Sequence, residues 1–462
     1  MRTNTLKARL AKIAAASAVL AVGVASVMAG ENPAGADPKQ QESPLITMGS
    51  DTTQDILDAF TGEVNGNLFI PLRSASVTSV AGVETGQQQI ASWRAVNLDA
   101  AGSPQACVEP KGGIRVDRPN GSGNGRRALT AAFTGAGWGR TDVTCTSTYA
   151  NMAGLINFSR SSSGASGTTG DLTFVPFARD ALQFAYSAPD VALAVSDLTT
   201  AQVQGLHTNS GSSAVINSGG TRIIGCRIQD GSGTYESWMG MMGLNPASQT
   251  DETTLETSTG ECAGAFDAVQ FGIDGIQEHD PEGLFDVCER IRNGYVPFGG
   301  GPAVPAQANT QCIIGYSASN WVAQFNDFGS RDLPIVPVAP TGGEFNLGTR
   351  DGGVAAYSIT LGVAAPNSTY YANATFGRDV YNVIPTSVIA LPGNTALKTM
   401  LLAGFNSEGP GSGPAVCSAD AAVTRGLLGY GAPVNHACGA FGAFNKRAWD
   451  FSNTGVIGSP EV

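Results

Sequence analysis

Three short runs in this chain combine glycine, small hydroxyl side chains and a following helix-like segment. They are Ser50-Asp51-Thr52-Thr53 in MGSDTTQDILDAF (48–60), Ser122-Gly123 in RPNGSGNGRRALTAAF (118–133), and Gly231-Ser232-Gly233-Thr234 in RIQDGSGTYESWMGMMG (227–243). The first turn of a helix leaves backbone N–H groups without partners and carries partial positive charge. Glycine lets a ligand approach that backbone, and hydroxyls add donors, so the chemistry these residues suit is holding an anion. Any one run reads equally well as a cap or a turn. Three of them, each after a strand-like segment, point to convergence on one solute, with structural capping as the alternative.

Nucleophilic catalysis is the competing chemistry. Neither Ser122 nor Ser232 lies in a G-x-S-x-G context, because the position two before each is Asn120 or Asp230. His279 in QEHDPEG stands between Glu278 and Asp280. That would suit a base or a single metal site, with an exposed loop as the plainer reading. We therefore expect no enzyme, no catalytic residue, no metal and no cofactor, and keep a secreted serine hydrolase as an alternative.

The elements that must hold these loops alternate. LITMGS reads as a strand before a helix carrying Ile56, Leu57 and Phe60, and Thr52 with Asp55 resembles a capping box. GIRVD precedes a helix carrying Leu129 and Phe133. TRIIGC precedes one on which Tyr235, Trp238, Met239 and Met242 recur at helical spacing, as core residues and not as a cofactor box. QCIIGYSASNWVAQF repeats the plan. Strands alternating with helices predict an α/β protein with loops at the strand ends. Residues 330–375 look like an insertion.

Composition narrows the class. Residues 1–36 have Arg2, Lys7, Arg9 and Lys12 ahead of an Ala/Gly/Ser-rich apolar stretch, then Ala34-Gly35-Ala36. This reads as a signal peptide cleaved near Ala36, with no Cys for a lipid anchor. Removing it leaves 22 Lys+Arg against 37 Asp+Glu, a balance that argues against nucleic acid or an anionic membrane as partner. All eight Cys follow that segment, an even number that reads as four disulfides in an exported chain. The pairing expected from proximity is 107–145, 226–312, 262–288 and 417–438.

The ordered set GSDTTQDILDAF, RPNGSGNGRRAL, INFSRSSS, FVPFARDALQFAY, LTTAQVQGL, QDGSGT and IIGYSASNWV resembles the phosphate-binding proteins of bacterial ABC importers, and more closely their secreted substrate-binding relatives. The resemblance covers most of the chain after residue 36. It implies a two-lobed periplasmic-binding-protein-like fold (type 2) with hinge strands, an insertion and a disulfide-pinned C-terminal tail. The bounds it implies are residues 45–172 and 316–462 for one lobe, 187–315 for the other and 173–186 for a hinge. It further implies a monomer binding phosphate or a related anion between the lobes, with an ABC permease as candidate partner. Carried over by position, the ligand set is Ser50, Asp51, Thr52, Thr53, Ser122, Gly123, Gly231, Ser232, Gly233 and Thr234, joined by Ser161 and Ser162.

Two positions depart from the family pattern. Ser162 stands where those proteins carry an Asp that accepts the proton of phosphate, and Ile228 stands where they carry an Arg. Arg227 is one residue off, and one step along a strand turns a side chain to the other face. Arg160 is the candidate replacement cation, and Arg179 reads as a hinge residue paired with Asp180. The resulting expectation is an oxyanion site without strict selection for protonated phosphate. A surface or interaction protein that keeps the fold without a ligand is the remaining alternative.

Overall fold

The computed structural model describes residues 45–57, 90–95, 105–139, 145, 151–208, 220–251, 260–265, 275–325, 345–390 and 396–401. Residues 55, 112, 166–169, 190–191, 247, 249 and 298–299 are excepted, and the pairs 63–64, 67–68, 214–215 and 428–429 are added. The signal-peptide segment, Asp55, Phe60 and the 417–438 pairing lie outside these residues. Residues 35–462 form one unit.

The chain is a mixed α/β protein built on a ten-stranded sheet. In chain order its main elements are β1 (Leu45–Gly49), β2 (Ile90–Ser92), β3 (Cys107–Lys111), β4 (Ile114–Asp117), α1 (Gly121–Thr134), β5 (Phe158–Ser161) and β6 (Leu172–Ser187). There follow α2 (Thr200–Thr208), β7 (Arg222–Cys226), α3 (Gly233–Met241), α4 (Gly260–Ala265), α5 (Pro281–Asn293), β8 (Thr310–Ser317), α6 (Ala318–Phe325), β9 (Phe345–Leu347) and β12 (Gly377–Pro385). Between these last two lies the hairpin β10 (Tyr357–Thr360) and β11 (Val363–Pro366).

One long strand organises the sheet. β6 is 16 residues long and includes the stretch expected as a hinge. Its C-terminal half pairs antiparallel with β8 on one side, from Cys312↔Ser187 to Ser317↔Leu182, and with β9 on the other. Its N-terminal part pairs antiparallel with β12, from Gly377↔Ala181 to Pro385↔Leu172. Beyond β12 the sheet continues through β5, β1 and β2, and beyond β8 through β7. The β6–β12 register slips between Val380 and Tyr381, beside Pro176. Proline has no N–H for the ladder, so a bulge there is the expected accommodation.

Parallel pairs sit at both ends, β1 with β2 and β5, and β7 with β8. Their apolar runs are buried throughout (LITMG and TQCIIGYS), as strands covered on both faces must be. Leu129 of α1 packs with Ile46, Met48, Val116 and Val383 in one core. Trp238 of α3 and Met242, its C-cap, pack with Val203, Leu206 and Ile313, while Tyr235 and Met239 enter a second cluster with Ile224 and Ile314. The aromatic and methionine stripe of α3 is therefore core. Phe345–Leu347, within the stretch expected as an insertion, adds strand β9 to the main sheet.

The cysteine pairing differs from the expectation at two of three described bridges. Cys107–Cys145 forms, with Cα atoms 5.4 Å apart, but the others are Cys226–Cys262 (5.3 Å) and Cys288–Cys312 (5.8 Å). Cys226 and Cys312 do sit on adjacent strands, staggered by two residues in register. Both enter the cluster that also holds Cys262 of α4 and Cys288 of α5. Each strand cysteine is thus bridged to a covering helix and not to its strand neighbour. Among the described residues no cysteine is free and no helix is long and apolar enough to cross a membrane.

Candidate anion-binding cleft

The three glycine–hydroxyl runs meet. Gly49, at the end of β1, bridges Asn120, the N-cap of α1, so the first two loops leave the sheet side by side. The third faces them: Gly123 N–H donates to Gly231 O at 2.9 Å. The approach is close enough to require glycine. A Cβ on Gly121 would lie 2.3 Å from Gly231 O, and one on Gly233 would lie 2.3 Å from Ser122 Oγ and 2.6 Å from Ser162 Oγ.

Two hydroxyl clusters line the seam. In the first, Ser50 Oγ donates to Ser162 Oγ at 3.0 Å, Ser122 Oγ lies 3.3 Å from the same atom, and Ser162 N–H donates to Ser122 Oγ at 2.9 Å. In the second, Thr52 Oγ1 and Thr234 Oγ1 lie 3.2 Å apart and both donate to Glu278 Oε1, at 2.6 and 2.7 Å. All of these serines, Thr234 and Glu278 are fully buried, and Thr52 is nearly so. Asn120 Nδ2 donates to Gln277 Oε1 at 2.9 Å, and Gln277 Nε2 donates to Asp51 Oδ2 at 3.3 Å, extending the seam.

Arg378 brings a cation to these hydroxyls. Its Nη2 donates to Thr234 Oγ1 at 2.7 Å and to Thr52 Oγ1 at 3.2 Å, and its Nη1 to Gly233 O at 3.2 Å. Asp180 Oδ2 accepts from Nε and Nη2 of the same guanidinium at 3.0 and 2.7 Å. Asp180 Oδ1 accepts from Ser317 Oγ and Ser319 N–H at 2.9 and 3.0 Å. The fully buried Tyr371 phenol is pushed well above its ordinary range, first by burial and then by the charges of Asp180 and Tyr370, against the opposing pull of Arg378.

This arrangement follows from two Arg-Asp dipeptides. FARD places them at 179–180 on β6 and GRD at 378–379 on β12, and the antiparallel register sets Arg378 opposite Asp180 and Asp379 opposite Arg179. Opposite charges then pair across the strands on both faces. Arg179 is accordingly bound to Asp379 at 2.6 Å and not to Asp180, because neighbours along a strand point to opposite faces.

The other expected residues take these places. Ser232 caps α3, its Oγ accepting from Thr234 N–H and Tyr235 N–H at 3.0 and 3.1 Å. Arg160 is fully buried with its guanidinium donating to Ser50 O, Ser92 Oγ and Trp93 O at 3.0, 2.7 and 2.8 Å. It anchors the first loop from behind. Ser161 Oγ accepts from Arg126 Nη1 at 3.0 Å, and Arg126 also reaches Glu236 of α3 at 3.1 Å, across the same seam. Thr53 is buried beside the first loop, and its Oγ1 has no hydrogen-bond partner among the described residues. Arg227 pairs with Asp230 at 3.1 Å, while Ile228 is core. Glu278, His279 and Asp280, read as an exposed loop, are all buried. Tyr316 Oη and Gln324 Nε2 clamp the His279 carbonyl at 2.9 and 3.0 Å, which holds that segment inward. A pocket of about 630 Å³ lies at the rim, lined by Arg126, Arg127, Asp230, Tyr235 and Glu236 among others.

Sequence reasoning missed Arg378, Asp180 and Glu278. The repeated Arg-Asp pair was the available signal for the first two. Chemically, the seam offers the hydroxyls of Ser50, Thr52, Ser122, Ser162 and Thr234 and the Arg378 guanidinium, with Arg126 at its rim, to a small acceptor-rich group enclosed between loops far apart in sequence.

No protein-family model matches the sequence, and no curated protein matches it. Solved structures do resemble it in chain path. A putative phosphate ABC transporter substrate-binding protein from Clostridium perfringens, with bound phosphate, is 12% identical over 84% of this chain and 99% of its own, with a TM-score of 0.39. PstS from Borrelia burgdorferi is 13% identical over 84% and 99%, with a TM-score of 0.33. A phosphate-binding protein from Stenotrophomonas maltophilia is 12% identical over 84% and 91%, with a TM-score of 0.30.

Proposed function

We propose that this chain is an extracytoplasmic solute-binding protein that closes over phosphate or a related oxyanion. Its two lobes meet where α1 and α3 begin. The proposed ligands are the hydroxyls of Ser50, Thr52, Ser122, Ser162 and Thr234 and the guanidinium of Arg378. The backbone of Asp51, Thr53, Gly123 and Gly231–Gly233 supports them. Arg160 and Ser161 hold the loops, and Ser232 caps its helix. The protein works as a monomeric receptor delivering its solute to an ABC permease, without chemistry of its own.

One observation carries this reading: a single amino group of Arg378 donates to Thr52 and to Thr234, hydroxyls from two facing loops. A guanidinium held among hydroxyls in an enclosed space is suited to a small oxyanion, since charge-assisted hydrogen bonds are roughly twice as strong as neutral ones. The protein's overall negative charge does not oppose this, because distant charges are screened beyond ~10 Å at 0.1 M salt.

A thermal-melting screen of the purified protein against phosphate, sulfate and other small anions tests the reading. A ligand that binds only the folded state raises the melting temperature in a concentration-dependent way. A melting temperature unmoved by every anion at millimolar concentration contradicts it. That result favours a protein that keeps the closed cleft as an interaction scaffold, an alternative motivated by the carboxylate already seated on Thr52 and Thr234.

A further inference from the structure

The segment that carries Glu278 is held from both ends. Ile276 N–H donates to Arg227 O at 3.1 Å, and Gln229 N–H donates to Ile276 O at 3.0 Å, so the chain runs alongside the third loop. Three residues on, the His279 carbonyl is fixed by Tyr316 and Gln324, and Pro281 opens α5. Between these anchors the Glu278 side chain enters the seam, with no exposed surface. Its Oε1 takes both threonine hydroxyls, the ones to which Arg378 also donates. Its Oε2 has no hydrogen-bond partner among the described residues.

A carboxylate oxygen receiving two hydroxyls from opposite loops, with a guanidinium behind them, has the surroundings expected for one oxygen of a bound oxyanion. It is an incomplete occupant. Its second oxygen is enclosed without a donor, which is unfavourable for a charged group. The Ser50–Ser122–Ser162 cluster meanwhile satisfies itself. A tetrahedral anion brings more acceptors than one carboxylate can.

We propose that Glu278 is an internal stand-in for the solute, so that the closed structure is a self-ligated form and an incoming oxyanion must displace this carboxylate. The proposal rests on the anion-binding reading above. Opening the seam separates Thr52 from Thr234 and removes one of the two donors to Oε1. The apparent affinity is then set by competition: the apparent dissociation constant is the intrinsic one divided by the fraction of molecules in which Glu278 has left the site. A receptor built this way stays self-ligated at low solute concentration and fills at proportionally higher concentrations than one without the internal carboxylate.

The test is calorimetric titration of inorganic phosphate and of sulfate into ligand-stripped wild type, Glu278→Ala and Glu278→Gln, with the melting temperature of each ligand-free protein recorded alongside. Removing the competitor should tighten oxyanion binding by about tenfold or more, the factor expected if Glu278 occupies the site nine-tenths of the time. Glu278→Gln, which keeps the shape and loses the charge, should fall between Glu278→Ala and wild type. Both ligand-free variants should melt below wild type. If Glu278→Ala does not fold, the isosteric Glu278→Gln reads the same competition. Unchanged or weaker binding by the variants, where wild type binds, overturns the stand-in while leaving the anion cleft intact. Weaker phosphate binding in particular makes Glu278 a ligand of the solute. Failure of all three proteins to bind either anion overturns the anion reading, and the stand-in with it.

Discussion

The hydroxyls of Thr52 and Thr234, 182 positions apart in the chain, lie 3.2 Å from one another. Neither would be there without the other loop. Thr52 follows β1, Thr234 lies in the first turn of α3, and the two are brought together across a seam that only glycine permits. The function proposed above depends on that meeting, and so do the following expectations.

Arg378→Gln removes the cation from the seam and leaves Asp180 fully buried with its charge partner gone. Breaking one side of a buried pair costs about 3–5 kcal/mol. Chemical denaturation should show a loss in that range. The double variant Asp180→Asn/Arg378→Gln should recover part of it, because the uncompensated charge is gone. Oxyanion binding should be lost in both. Equal stability of Arg378→Gln and wild type would remove the pair from the account.

Gly233→Ala tests the seam itself. Gly233 is the first residue of α3, where alanine suits a helix, and the obstacles lie across the seam: Ser122 Oγ, Ser162 Oγ and the Ser163 backbone nitrogen at 2.3, 2.6 and 2.9 Å from the added carbon. The variant should fold, yet be unable to close. Oxyanion affinity should fall by more than tenfold, about 1.4 kcal/mol. Small-angle scattering should report a more extended molecule than wild type. Unaltered affinity would mean that closure is not needed for binding.

The bridges are open to direct assignment. Peptide mapping without reduction should find Cys226 joined to Cys262 and Cys288 joined to Cys312. Replacing either pair by serine should cost about 3–4 kcal/mol, given the length of the loops they close. Recovery of a Cys226–Cys312 peptide would contradict the structure.

What the sequence left legible, and what it hid, divides along one line. The three glycine–hydroxyl runs could be read because each is a local pattern, and local patterns carry their own physical reason. The stripe on α3 was legible for the same reason. The cysteine partners were not, because adjacency of Cys226 and Cys312 on neighbouring strands does not tell which face each addresses or which helix covers it. Arg378 was hidden because its place depends on the register of β6 against β12, about 200 residues apart. Glu278 was hidden because a polar QEHDPEG run looks like surface. Anchors from distant parts of the chain, at Ile276 and at the His279 carbonyl, turn it inward.

Stability should also depend on pH through His207. Its ring is fully buried against Trp238, with Nδ1 2.9 Å from Val203 O. Burial holds its pKa below the ordinary 6.5, backbone hydrogen bonds oppose that shift, and Arg350 adds to it. The native state keeps the ring neutral where the unfolded chain would take a proton. This contribution is therefore fully present above about pH 6.5 and is lost as pH falls below that value. Denaturation midpoints measured from pH 8 to 5 should decline below 6.5, and His207→Gln should flatten that part of the curve. An identical decline in the variant would assign it to other groups.

The central claim is that loops remote in sequence enclose one anion, and a crystal structure of the protein grown with phosphate tests it most directly. The account predicts tetrahedral density within hydrogen-bond distance of Thr52 Oγ1, Thr234 Oγ1 and Arg378, with the Glu278 carboxylate moved off the two threonines. Phosphate bound elsewhere on the molecule, or a seam unchanged and still filled by Glu278 at saturating phosphate, would contradict it.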